Sequence, residues 1–257
     1  MRITVKVGTS TLAYPTGRLN IRRVEKLVKV LSDLKNAGHE IVFVSSGAIA
    51  MGVGKMQLRE RPSDTATKQA AAAVGQCELM YTYDRMFAEY NHVAAQILLT
   101  RADFDQEERR MNLENTLFRL LELDVIPVIN ENDTIATDEF SVGDNDTLAA
   151  IVARCIKSDL LVLLSDIDGL YTDDPHKNKN ARFISRVERI TPEIEALAGG
   201  SGSSLGTGGM ATKLHAAQIV TTAGFDMVIT NGVRPEVLYD IVDGKPVGTR
   251  FIGEGKL

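Results

Sequence analysis

Tryptophan is absent from the 257 residues, and aromatic residues make up only 5% of them. No basic stripe runs along the chain; the formal net charge is −5, with Lys and Arg scattered among the acids. A nucleic-acid surface of clustered cations and stacking rings is therefore not expected. No apolar run approaches the roughly 18 residues that suggest a bilayer span, so no membrane span is expected. Met1 leads almost directly into the alternation Ile3-Thr4-Val5-Lys6-Val7, without the charged and apolar regions of a secretory signal. Cysteine is limited to Cys77 and Cys155. Each lies in a helix-like apolar context, and both read as reduced core thiols of a cytoplasmic protein. His39, His92, His176 and His215 are far apart, lack metal-ligand spacing, and read as surface or loop residues.

What the chain does have is an ordinary globular composition, 44% hydrophobic and 25% charged, with length enough for a large core. Short apolar runs alternate with longer amphipathic stretches. Strands are expected at 2–7, 40–45, 92–99, 125–129, 160–164 and 226–230. Helices are expected at 20–37, 65–90, 110–123, 145–157, 210–223 and 235–241. In the first of these, Asn20 is the N-cap, Ile21, Val24, Leu27, Val28, Leu31 and Leu34 form one stripe, and Gly38 is the stop. Pro127 weakens the strand that contains it. Leu160 to Leu164 is apolar throughout, as suits a strand buried on both faces. The alternation predicts an α/β fold, a three-layer αβα sandwich around a mostly parallel central sheet.

Ligands of parallel sheets gather beyond the carboxyl ends of the strands. Four strand ends here carry Lys, Gly, Ser, Asn or Asp. They are Lys6-Val7-Gly8-Thr9-Ser10, Ser45-Ser46-Gly47, Asn130-Glu131-Asn132-Asp133 and Ser165-Asp166. Each alone reads equally as a turn or a helix cap. Their coincidence points to a single site.

Two further segments stand out. Gly143-Asp144-Asn145-Asp146 opens a helix; its acids either cap that helix or hold a lysine or Mg²⁺. Gly199 to Gly209 is rich in Gly and Ser, and reads either as a linker or as a phosphate loop. Its end, Gly206-Thr207-Gly208-Gly209-Met210-Ala211-Thr212-Lys213, would bring backbone amides, a helix N-terminus and a lysine to one anion. Neither the P-loop spacing nor the dinucleotide-binding Gly pattern is present, which argues against both of those classes.

These segments, in order from residue 2 to about 250, resemble the amino acid kinase superfamily, and within it the glutamate 5-kinase family. Lys6 to Ser10, Ser165 to Thr172 and Gly206 to Lys213 are shared across the superfamily. Pro127 to Asp133 and Val142 to Asp146 resemble the glutamate 5-kinase family in particular. The resemblance implies an enzyme that uses ATP and Mg²⁺ to phosphorylate the side-chain carboxylate of L-glutamate. It implies that Lys6 and Lys213 neutralise the phosphoryl group in flight while Asp146 holds both. Gly8, Thr9, Ser10, Thr207, Gly208 and Gly209 would meet the ATP phosphates, with Met210, Ala211 and Thr212 in the same segment. Ser165 and Asp166 would lie by the nucleotide. Ser46, Asp133 and Asn145 would bind glutamate, with Gly47, Asn130 and Asn132 as neighbours. Asp144 would belong to the Mg²⁺ and lysine network.

The same resemblance implies one kinase domain over 1–257, its glutamate part at about 1–155 and its nucleotide part at about 156–257, without the PUA domain that many relatives carry. It implies feedback by proline, a product handed to glutamate-5-semialdehyde dehydrogenase, and a homo-oligomer. Thr137 to Val142 would form a flap over the substrate. The rival readings are a superfamily kinase for another acceptor, a non-catalytic sensor and a scaffold. The 127–146 segment weighs against the first, the joint presence of Lys6, Asp146 and Lys213 against the second, and the polar strand ends against the third.

Overall fold

The computed structural model describes residues 1–135, 145–175, 177–197 and 209–255. In chain order the first half runs β1 (Arg2–Val7), α1 (Thr9–Leu12), α2 (Ile21–Asn36), β2 (Glu40–Ser45), α3 (Ala48–Lys55), α4 (Thr65–Ala88), β3 (Ala94–Leu99), α5 (Ala102–Asp105), α6 (Glu107–Glu122) and β4 (Ile126–Glu131). The second half runs α7 (Asn145–Cys155), β5 (Leu160–Ser165), β6 (Leu170–Tyr171), β7 (Phe183–Ile184), β8 (Arg186–Val187), α8 (Pro192–Ala196), α9 (Met210–Thr222), β9 (Asp226–Asn231), α10 (Val237–Val242) and β10 (Thr249–Phe251). Eight strands form one sheet in the order β3-β4-β2-β1-β5-β9-β10-β8, and β6 and β7 pair separately. Among the described residues, only the β9–β10 pair of the eight-stranded sheet is antiparallel.

The period of two along each strand divides the core into two halves. Ile3, Val5 and Val7 of β1 pack with α2, α4 and α10 on one face, together with Ile41 and Phe43 of β2 and Leu160, Val162 and Leu164 of β5. Val42, Val44, Leu161 and Leu163 face the other way, against α6, α7 and α9. The αβα sandwich follows from this division, and β5 is buried along its whole length between β1 and β9.

Several local expectations needed correction. The sequence patterns missed the short elements α1, α3, α5, α8, β6, β7, β8 and β10, too brief to show a period. Pro127 lies in an interior strand, yet pairing of β4 with β2 begins at Val128, so its missing N–H falls just before that ladder. Asn20 does cap α2, its side chain accepting from Arg23 N at 3.3 Å, but Ile21 stands 56% exposed rather than on the buried stripe. His92 is buried, with Nε2 3.3 Å from the carbonyl of Ser32. Cys77 is exposed on α4 rather than in the core, and Cys155 is half-buried; both are free thiols. No helix among the described residues is long and apolar enough to cross a membrane.

Candidate active site

The carboxyl edge of the sheet collects the ends of β1, β2, β4 and β5 side by side. Lys6 is the penultimate residue of β1, and its neighbours in sequence, Val5 and Val7, point into the α2–α4 core. Alternation therefore turns Lys6 towards α7 and α9. There Asp146, in the first turn of α7, receives it: Lys6 Nζ lies 2.5 Å from Asp146 Oδ1. Lys213, four residues into α9, lies 3.1 Å from Asp146 Oδ2. Thr212 Oγ1 is 3.2 Å from the same oxygen and 2.8 Å from the carbonyl of Gly209.

All three charged side chains are buried, Asp146 completely. Burial by itself would raise the Asp146 carboxyl, but the Lys6 and Lys213 ammonium groups outweigh it and hold it well below the usual carboxylate range. The two lysines were expected in the strand at 2–7 and the helix at 210–223, and they lie there. Both are therefore carried by rigid elements. Gly8 follows directly, and a Cβ there would come within 3.8 Å of Lys6 Nζ. The amides of Thr9 and Ser10, at the start of α1, are of the kind a helix N-terminus leaves without an intrahelical acceptor.

A second polar cluster lies on the opposite face of the sheet. Ser45 and Asn130, at the ends of β2 and β4, turn towards α4. Ser45 Oγ is 2.8 Å from Tyr83 Oη, and Asn130 Nδ2 donates to Gln76 Oε1 at 2.8 Å. Asn145, the residue before Asp146, bridges the faces across the sheet edge. Its Nδ2 lies 3.0 Å from Ser45 O, 2.9 Å from Ser46 Oγ and 2.9 Å from Asn130 Oδ1. Gly47 caps α3 with φ +98°, a conformation that favours glycine.

Asn132 and Asp133 follow β4. Asn132 accepts from Thr134 Oγ1, and its N–H donates to Leu99 O at 2.8 Å. Burial pushes the Asp133 carboxyl up to about 6. Ser165 ends β5 and donates to Asp166 Oδ1 at 3.1 Å; Asp166 is exposed. Asp144, Thr207, Gly208 and the Thr137 to Val142 segment lie outside the described residues, so their expected roles have no geometry here.

Sequence reasoning missed Gln76 and Tyr83. A signal was present: Ala72, Gln76, Leu79 and Tyr83 form a stripe at helical spacing, all buried, and Gln76 is its one amide.

The mostly parallel sheet, the lysine–aspartate–lysine cluster and the glycine that opens α9 are of the kind a phosphotransferase site needs. The chain belongs to the amino acid kinase family, whose model, described as "Amino acid kinase family", matches residues 1–231. It is similar to the protein named Glutamate 5-kinase of Clostridium perfringens (strain 13 / Type A), 51% identical over 257 residues, 98% of this chain and 96% of that protein. It is 55% identical over 249 residues to Glutamate 5-kinase of Clostridium tetani (strain Massachusetts / E88), 97% of this chain and 93% of that one. Among solved structures it is similar to T. acidophilum isopentenyl phosphate kinase in a product complex, with TM-score 0.68, 18% identity, and 98% and 100% of the two chains covered. Carbamate kinase from Giardia lamblia bound to AMP-PNP gives TM-score 0.68 and 17% identity, with 98% of each chain covered. At these identities the structural likeness carries the fold.

Proposed function

We propose that this protein transfers the γ-phosphoryl group of ATP to the γ-carboxylate of L-glutamate, forming L-glutamyl 5-phosphate, the first step of proline synthesis from glutamate. The observation that carries it is identity of 51% and 55%, over nearly the whole chain, to proteins named Glutamate 5-kinase.

The chemistry suits the cluster. A glutamate side chain, with a reference pKa of about 4.3, is ionised at neutral pH and needs no general base. Its oxygen attacks the γ-phosphorus, the bond from phosphorus to the bridging oxygen of ADP breaks, and no proton moves. The obstacle is repulsion between two anions, so the site must supply positive charge and alignment. Lys6 and Lys213, both held on Asp146, are placed to supply that charge.

Mg²⁺ bound with ATP would supply further positive charge at the transferring group. An ion so carried keeps several waters and takes few protein carboxylates. Both oxygens of Asp146 already face ammonium groups, so Asp144 is the residue assigned to the ion. Gly8, Thr9, Ser10 and the segment from Thr207 to Lys213 are assigned to the phosphates, and Ser165 and Asp166 to the nucleotide. Ser46, Asp133 and Asn145 are assigned to glutamate, with Gly47, Asn130 and Asn132 beside them. On this reading the stretch up to about 155 holds the acceptor, Gly8 to Ser10 apart, and later residues hold the nucleotide.

Residence in the cytoplasm, where ATP and glutamate are abundant, belongs to the same reading, and fractionation of cells would test it. So do inhibition by proline, delivery of the labile acyl phosphate to a reductase, and assembly into a homo-oligomer. Proline titration, a coupled assay with the reductase and light scattering test these in turn. A null result in any one removes that part.

The primary test is ATP turnover over a panel of acids, with hydroxylamine trapping the acyl phosphate. Glutamate yields a hydroxamate; aspartate and acetylglutamate do not. Equal yields from all three would remove the assignment.

A further inference from the structure

We infer that helix α4 positions the acceptor half of the site, with Gln76 acting through Asn130 to fix the side-chain amide of Asn145. The inference rests on the glutamate reading above. Asn145 Nδ2 faces three acceptors, Ser45 O, Ser46 Oγ and Asn130 Oδ1, while its Oδ1 is buried without a hydrogen-bond partner among the described residues. A buried amide oxygen left bare is costly, because it has given up its hydrogen bonds to water. It is tolerable where a substrate donor, such as the ammonium group of an amino acid, comes to meet it.

What keeps that oxygen from turning inward is the orientation of Asn130. Its Oδ1 accepts from Glu131 N at 2.9 Å and from Asn145 Nδ2, and its own Nδ2 needs an acceptor. Gln76 Oε1 supplies one at 2.8 Å. Without it the Asn130 NH₂ group is buried unsatisfied. The rotation that relieves this breaks the bond to Asn145.

An independent feature holds α4 in register. Gly75, next to Gln76, leaves no room for a side chain: a Cβ there would sit 1.8 Å from Ala48 O and 2.4 Å from Gly52 N. Likewise a Cβ at Gly52 would meet Ala71 O at 1.8 Å. α3 and α4 thus pack backbone against backbone, and α3 begins immediately after Ser46 and Gly47. Two turns along α4 from Gln76, Tyr83 reaches Ser45 and sets its ring edge-on to Phe43 with centroids 5.1 Å apart. One helix therefore fixes the ends of both β2 and β4. Gln76 touches neither proposed substrate; it is a positioning residue.

The test compares Gln76→Met, which keeps length but loses the oxygen acceptor, with Gln76→Glu, which retains one. Gln76→Met is expected to raise KM for glutamate about tenfold and KM for ATP by no more than about twofold, as loss of one aligned hydrogen bond would. Gln76→Glu recovers most of the loss. In an Asn145→Ala background Gln76→Met adds little, because the two act in series. Should Gln76→Met fail to fold, Gln76→Asn, whose oxygen is withdrawn by one methylene, reads the same split. Equal shifts for both substrates, or full additivity with Asn145→Ala, would overturn the inference. If the wild type forms no glutamyl hydroxamate, the glutamate reading falls and takes the inference with it. If it does, and Gln76→Met matches it, only the inference falls.

Discussion

Two polar clusters meet at one edge of the sheet, and they are built from different chemistry. On the α7–α9 face the groups are ions: Lys6, Asp146 and Lys213. On the α4 face they are neutral amides and hydroxyls: Asn130, Asn145, Gln76, Ser45 and Tyr83. Burial acts differently on each. An ion cluster taken from water persists only if its charges compensate, and its remaining charge then acts strongly on whatever enters. An amide network carries little net charge but strong direction, since every donor must find an acceptor. The first suits a migrating phosphoryl group and the second suits recognition of an amino acid. Asn145 and Asp146, adjacent in the chain, join the two.

That contrast can be broken from either side. The largest effect is expected on the ionic side. Lys213→Ala should lower kcat about a thousandfold, the upper range for loss of one charge-stabilising group, with an unchanged circular dichroism spectrum. Retention of near-native turnover would strip Lys213 of its role.

Next, Asp146→Ala removes the carboxylate that two buried ammonium groups share and should cost about 3–5 kcal/mol of stability, read from denaturant midpoints. Because the Asp146 carboxyl is held below its ordinary range when folded, its stabilisation is full above that range and is lost as pH falls through the lowered value. The wild type should therefore lose this contribution only in acid, and Asp146→Ala should lack that acid-dependent loss.

On the recognition side, Asp133→Ala should raise KM for glutamate some tenfold or more, the scale of a lost charge-assisted contact, while KM for ATP stays nearly level. Matching shifts for both substrates would count against a substrate role for Asp133. The mildest effect is in pH. Burial raises the Asp133 carboxyl to about 6, so it gains its charge only as pH climbs through that value. kcat/KM for glutamate should rise over the same interval and then level off. Asp133→Asn should flatten that rise, and a profile identical to wild type would detach it from this residue.

The legible part of the molecule was the part governed by local period. Alternation marked β1 and set Lys6 apart as a charge within it. The unbroken run at Leu160 to Leu164 identified a strand covered on both faces, and Asn20 and Gly38 bounded α2. Strand ends rich in Gly, Ser, Asn and Asp picked out an edge where β1, β2, β4 and β5 do end side by side. Short elements such as α3 were invisible, because eight residues with three glycine or methionine positions show little stripe. Cys77 was misread because an apolar sequence context does not say which side of a helix faces water.

The sequence by itself determined the class of fold, the edge of the sheet that gathers the polar strand ends, and the presence of two lysines and an aspartate in segments far apart in the chain. Tertiary structure decided what those residues meet. Lys6 and Lys213 converge on a single carboxylate because α7 packs against both β1 and α9. Gln76 became part of the acceptor side because α4 crosses the ends of β2 and β4. The physical reason is range: period, caps and turns are set within a few residues, whereas a buried charge or amide must be satisfied by whatever the packed chain brings within about 3 Å.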